Sequence, residues 1–339
     1  MCNGKFLQFS IRTVVALFLM LAVAVGREVP RAESVVSPAW VKARLDAQAA
    51  RSPGSRGDRL VIIEASWATA AGAKDYQAGH LPGAIHLNTD ELENGYPRWA
   101  LRPASELHRV IGGLGITPGS TVVVYGKQTI AAARVWWVMK YAGVADVRLL
   151  NGGFAAWTAS GYPAETSVNA PTPVKFTARV REDLRATTAY VRARYRDRQT
   201  RMADARSREE HVGATSGYTY VDFKGRIPGS LHIGNVDDSE RQFVNADGTL
   251  RDPRVIRAMW ERAGLVDDGR ETIFYCGSGW RSSLAFLYAW MLGMDRIRNY
   301  SDGWIGWSTS YRPDKGAKGG TPGWRQDRTR NPVWAGDPC

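Results

Sequence analysis

Short, nearly continuous apolar runs set the rhythm of this chain. They cover residues 60–63, 121–125, 147–150 and 273–275, and each is followed by turn residues and, in most cases, by a helical pattern. Runs this short with no polar alternation predict strands buried on both faces, and their alternation with helices predicts a parallel sheet in an α/β fold. After the last run comes the loop Cys276-Gly-Ser-Gly-Trp-Arg281, and a helical pattern spans residues 282–292.

The pattern occurs twice. Residues 121–163 lie over residues 271–313 without a gap, so that Tyr125 meets Tyr275, Gly143 meets Gly293, Gly153 meets Gly303, Trp157 meets Trp307 and Pro163 meets Pro313. Upstream, GHLPGAIHL at 79–87 echoes GRIPGSLHI at 225–233, and LVIIEAS at 60–66 roughly echoes RMADARS at 201–207. The same order of elements in both halves predicts two tandem domains, 38–167 and 185–313, each a doubly wound parallel sheet flanked by helices. A linker is expected over 168–184, where Asn169-Ala-Pro-Thr-Pro173 reads as extended. Glycines and prolines dominate 314–339, and this tail is expected to be irregular.

Composition adds bounds. With 44% hydrophobic and 23% charged residues the chain is ordinary globular material and not a disordered one. Residues 1–26 stand apart: Lys5 and Arg12 precede an apolar run, and Ala22 and Ala24 form a small-residue cleavage pattern. This predicts a signal peptide and an exported protein, periplasmic or secreted. The run is shorter than the ~20 apolar residues of a spanning helix, so no stable membrane insertion is expected once it is removed. Removal would also take Cys2, leaving Cys276 and Cys339, too few for a disulfide-built scaffold. The net charge of +12 owes much to an arginine cluster between Arg179 and Arg208. No nucleic-acid motif accompanies it, and it reads as a solvated surface or a field for small anions.

Chemistry concentrates at Cys276. It follows a predicted strand and precedes a helix, the place where open parallel sheets bind ligands. Gly277 and Gly279 allow successive N–H groups to converge, the helix start adds further unpaired N–H groups, and Arg281 adds a full positive charge. All three favour thiolate over thiol, and the thiolate is the nucleophile. In the first half Gly126 and Ala131 stand where Cys276 and Arg281 stand in the second, so that half is expected to be catalytically silent. Trp280, inside the loop, is expected to wall the pocket, while His80 and His86 read as structural and Trp136, Trp137, Trp157, Trp290, Trp304 and Trp307 as core or domain interface. No histidine spacing suggests a metal.

Together the GHLPGAIHL and GRIPGSLHI segments, the loop CGSGWRSS, and the NGGFAAW and SDGWIGW turns resemble the tandem rhodanese family of sulfurtransferases. Exported bacterial rhodanese-like proteins with a CGTGWR-type loop are the most similar. The resemblance implies that Cys276 attacks the outer sulfur of thiosulfate, a small anionic donor, releases sulfite and holds a persulfide for a thiol or cyanide acceptor. The N–H groups from Gly277 to Ser283, in a pocket formed with Ser278, Gly279, Trp280, Arg281 and Ser282, would stabilise that persulfide. No metal or organic cofactor is implied. Asp204-Ala205-Arg206 matches a family Asp-x-Arg that braces the active face. The substrate-binding Arg that follows in the family is replaced by Glu210, with Arg208 near enough to substitute. The Cys-Gly-Ser-Gly start is also similar to mercaptopyruvate sulfurtransferases, so 3-mercaptopyruvate is the alternative donor. A non-turnover sulfur carrier is the alternative to an enzyme. The related Cys-x5-Arg phosphatases have a loop one residue longer.

Overall fold

The computed structural model describes residues 28–51, 59–234, 240–314 and 323–336. The predicted signal peptide, Cys2 and Cys339 lie outside the described residues. Two five-stranded, wholly parallel sheets are built in the same order. The first is β1 (Val35–Val36), β5 (Asp146–Leu150), β4 (Thr121–Tyr125), β2 (Leu60–Ser66) and β3 (Ile85–Asn88), in that spatial order. The second is β6 (Arg185–Ala186), β10 (Ile297–Tyr300), β9 (Glu271–Tyr275), β7 (Thr200–Asp204) and β8 (Leu231–His232).

The central strands are buried along their length, as their unbroken apolar runs require. Two-residue edge strands are too short to carry a pattern, and β1 begins ahead of residue 38, where the sequence starts the first domain. β1 is fixed instead by its pairing with the neighbouring strand, Val35 opposite Leu149 and Val36 opposite Leu150.

Two helices follow the central strands, α1 (Thr129–Tyr141) and α3 (Trp280–Met291). α1 is apolar on nearly every face, as a helix buried between two sheets should be. It packs on α3 across the domain boundary, where Trp136 meets Phe286 and Trp290 with ring centroids 6.4 and 6.2 Å apart. One hydrophobic cluster therefore runs through both domains, and each fully buried Leu, Ile or Phe in it contributes roughly 1.5–3 kcal/mol. Between α1 and α3 lies the short helix α2 (Arg208–Val212), and α4 (Gly303–Ser308) follows β10.

The tail differs from expectation. β12 (Gly323–Arg328), inside the stretch read as irregular, pairs antiparallel with β11 (Thr309–Asp314) at the end of the second domain. The glycines and prolines at 316–322 that argue against structure precede the second strand, which opens on Gly323, and 324–328 contains none. Beyond it, Trp334 exchanges backbone hydrogen bonds of 2.7 and 3.0 Å with Arg226, which draws the tail onto the second domain.

Candidate active site

Cys276 comes directly after β9 and four residues before α3, so the sheet carries it to the carboxyl edge of its central strand. The turn into α3 is made at Gly279, which holds φ +90° as the helix N-cap, a conformation that favours glycine. The N–H groups of Trp304 and Ile305, at the start of α4, donate to the carbonyls of Cys276 and Gly277 at 2.7 and 3.0 Å. Because a trans peptide sets N–H opposite C=O, the N–H groups of Gly277 and Ser278 face away from α4. The nest is one residue shorter than expected, since the Ser283 N–H donates to the Gly279 carbonyl at 3.2 Å. Ser282 lies deeper, its hydroxyl 2.7 Å from Asn299 Oδ1 and 3.6 Å from Cys276 Sγ, so a single proton can serve either partner.

The sulfur-bearing residue sits at the floor of a cavity of about 450 Å³. Trp67, Trp99 and Ile130 of the first domain and Tyr218, Tyr220 and Trp280 of the second form its walls. At 1% exposure Cys276 is no surface thiol, and it is reached through this cavity. Trp280 does wall the pocket, stacked on Trp67 with centroids 4.7 Å apart and planes 10° apart. Ser278 also lines it, while Gly277 lies under the Tyr218 hydroxyl so closely that a Cβ would fall on it.

Arg281 is where the structure corrects the sequence most. Instead of an uncompensated charge beside the sulfur, its guanidinium grips the Glu210 carboxylate with both ends, Nη1 to Oε2 at 2.6 Å and Nη2 to Oε1 at 2.8 Å. Nη2 also donates to the Tyr218 hydroxyl at 3.0 Å. Glu210 is set for this by a capping box: Ser207 Oγ accepts from its N–H, and its Oε2 accepts from the Ser207 N–H. Burial raises the carboxyl, but Arg281 prevails and holds it below the usual carboxylate range. A depressed carboxyl keeps its stabilising contribution above the ordinary value and loses it only as pH falls through the lower one, so the pair persists throughout the neutral range. Arg208 does not substitute as a substrate arginine, because it lies on the exposed face of α2 and outside the cavity lining.

Beneath the loop, Asp204 and Arg206 form a fully buried pair and not a surface one, Nη2 to Oδ2 at 2.7 Å. Asp204 Oδ2 also accepts from the Tyr275 hydroxyl at 2.8 Å and lies 2.9 Å from His211 Nδ1. Burial raises the Asp204 carboxyl, but Arg206 and then His211 hold it well below its ordinary range. Since Tyr275 precedes Cys276, this network fixes the end of β9.

Two residues that the sequence reading missed come from the first domain. Arg134, buried in α1, donates to Glu93 Oε1 at 2.8 Å and Ser301 Oγ at 2.8 Å, and reaches the Gly279 carbonyl at 3.5 Å. Glu93 in turn accepts from Trp280 Nε1 at 3.1 Å. The available signal was an arginine inside an otherwise apolar helix. The first domain thus braces the loop that carries Cys276. Its counterpart of Cys276, Gly126, borders a separate cavity of about 340 Å³, and a Cβ there would run into the Ala65 carbonyl. His86 is engaged by Glu64 at 2.7 Å and by the Ala68 carbonyl at 2.9 Å, and His80 by the Tyr76 carbonyl at 2.7 Å. Among the described residues no group of three or more His, Cys, Asp or Glu could hold a metal ion, and no helix is long and apolar enough to cross a membrane.

The rhodanese-like domain matches this chain twice, over residues 37–160 and 187–310. The chain belongs to the rhodanese family. Among relatives of this tandem rhodanese, the thiosulfate sulfurtransferase YnjE of Escherichia coli (strain K12) is 35% identical over 295 residues. That match takes in 84% of this chain and 65% of the relative, so the chain spans less than two thirds of its length. The thiosulfate sulfurtransferase of Mus musculus is 28% identical, covering 86% of this chain and 97% of its own. Among solved structures, the anaerobic ergothioneine biosynthesis enzyme from Chlorobium limicola, in complex with trimethyl histidine, aligns at TM-score 0.75 and 28% identity. It covers 90% of this chain and 70% of that one. Sulfur transfer is the activity that the two named sulfurtransferases share.

Proposed function

We propose that this protein is a sulfurtransferase in which Cys276 carries the sulfur as a persulfide. The observation that carries the reading is the position of Cys276, lining a cavity at the end of β9, just ahead of the two-glycine turn into the N-terminus of α3. In the first half-reaction the Cys276 thiolate attacks the outer sulfur of the donor. A new S–S bond forms, the donor's own bond to that sulfur breaks, and its electron pair leaves with the remainder, as sulfite when the donor is thiosulfate. In the second, a thiol or cyanide attacks the outer sulfur and Cys276 departs as thiolate. Loop N–H groups meet the negative sulfur in both steps, and Ser282 can turn its hydroxyl toward it.

Thiosulfate, named for the Escherichia coli and mouse relatives, is the first donor to test. The expectation from sequence leaned on Arg281, whose charge Glu210 balances, so turnover with thiosulfate is expected to need a high concentration. The basic-then-apolar pattern of residues 1–26 supports export to the periplasm or beyond as part of the same proposal.

Steady-state transfer separates an enzyme from a carrier. With donor and cyanide both in excess, thiocyanate should accumulate over many equivalents per Cys276, and a stop at one equivalent contradicts turnover. A second expectation concerns the loop. Gly277→Ala should displace Tyr218 and lower kcat/KM on the order of 10²-fold, with unchanged far-ultraviolet circular dichroism. Unaltered kinetics would show that the Tyr218 contact does not shape the site.

A further inference from the structure

The cavity above Cys276 has a charge and a lining that a small dianion does not explain. Arg281 is the one cationic side chain among the described residues that line it. Its fork is matched by Glu210, a carboxylate only 4% exposed, in a two-point contact of 2.6 and 2.8 Å. The pairing is built in. The capping box sets Glu210 on α2, and Gly217 at φ +78° comes so close to the Glu210 side chain that a Cβ would meet it. A guanidinium already holding a carboxylate offers an incoming anion an attraction that the carboxylate largely cancels, so a dianion finds too little attraction to offset its greater cost of leaving water. Around this neutralised pair stand Trp67, Trp99, Tyr218, Tyr220 and Trp280, in about 450 Å³ of space. Such walls bind flat apolar bodies and do nothing for a compact hydrophilic ion.

From this we propose that Glu210 is the specificity-determining residue of the site, selecting organic sulfur donors of low charge with a planar or apolar body over the thiosulfate dianion. The inference rests on the persulfide reading and names the substrate class for it. Trp67, stacked on Trp280 and still 41% exposed, offers the surface on which that body lies, and the sulfane sulfur is directed to Cys276 beneath.

Two donors with the same reactive end make the test. Benzenethiosulfonate is a monoanion with a ring, and thiosulfate is a dianion without one. In each the Cys276 thiolate attacks the outer sulfur, the persulfide S–S bond forms, and benzenesulfinate or sulfite leaves with the electron pair of the broken bond. With cyanide as acceptor, the wild-type protein should favour benzenethiosulfonate in kcat/KM by about 10-fold or more. Glu210→Gln keeps the capping geometry and removes the charge. It should narrow that preference by about 10-fold, chiefly by lowering KM for thiosulfate. Trp67→Ala should narrow it from the other side, by raising KM for the aryl donor alone.

Equal use of both donors by the wild type, or a preference for thiosulfate, overturns the inference even if Glu210→Gln does not fold. So does a Glu210→Gln variant that changes both donors by the same factor. A protein that takes sulfur from neither donor, nor from inorganic polysulfide, fails at the persulfide itself, which is a different failure from a lost preference.

Discussion

Cys276→Ser is expected to bring sulfur transfer down to the uncatalysed level, a loss on the order of 10⁴–10⁶-fold in kcat. The serine hydroxyl is nearly isosteric and stays protonated where a thiolate is needed, so the cavity walls, the Arg281–Glu210 pair and the buried Asp204–Arg206 pair remain as they are. The fold should tolerate it, since the residue contributes one small side chain to a site held by Tyr275, Asn299 and the start of α4. An unchanged melting temperature with absent turnover is the expected pair of results. Residual transfer within ten-fold of wild type would place the working nucleophile elsewhere in the chain.

The second large effect is expected from a residue of the first domain. Arg134→Met should destabilise the protein by about 3–5 kcal/mol, because it strands the Glu93 carboxylate at 2% exposure with Trp280 Nε1 as a remaining donor. It also removes the bonds from the first domain to Ser301 and to the carbonyl of Gly279, the N-cap of α3. Transfer should therefore weaken although no residue lining the cavity has changed. Adding Glu93→Gln removes the stranded charge and should restore most of the stability but not the lost contacts to the loop, a non-additivity that urea denaturation of the two single variants and the double variant measures. A destabilisation within about 0.5 kcal/mol for Arg134→Met would show that the first domain does not hold the loop in this way.

The two sheets were legible in the sequence because strands buried on both faces leave unbroken apolar runs, and because the chain repeats its punctuation from Tyr125–Pro163 to Tyr275–Pro313. Edge strands such as Val35–Val36 were not, since two residues held by a neighbour's backbone carry no pattern. Cys276 was legible from local features alone: a strand end, two glycines and a helix start. Charge balance was not. The sequence marks Glu210 as standing where an arginine was expected, but its contact with Arg281 spans 71 positions and appears only in the folded second domain. The same holds for Arg134, whose partners Glu93 and Ser301 lie 41 and 167 positions away. What a residue does beside its neighbours in sequence can be read locally, and what it does across a domain boundary cannot.

Peptide mass spectrometry after brief exposure to a sulfane donor, followed by removal of the excess, is the most direct measurement of the sulfur's whereabouts. A gain of about 32 Da is expected on the peptide that contains Cys276, discharged on adding cyanide. No gain with any donor, or a gain confined to the peptide of Cys339, would contradict the account.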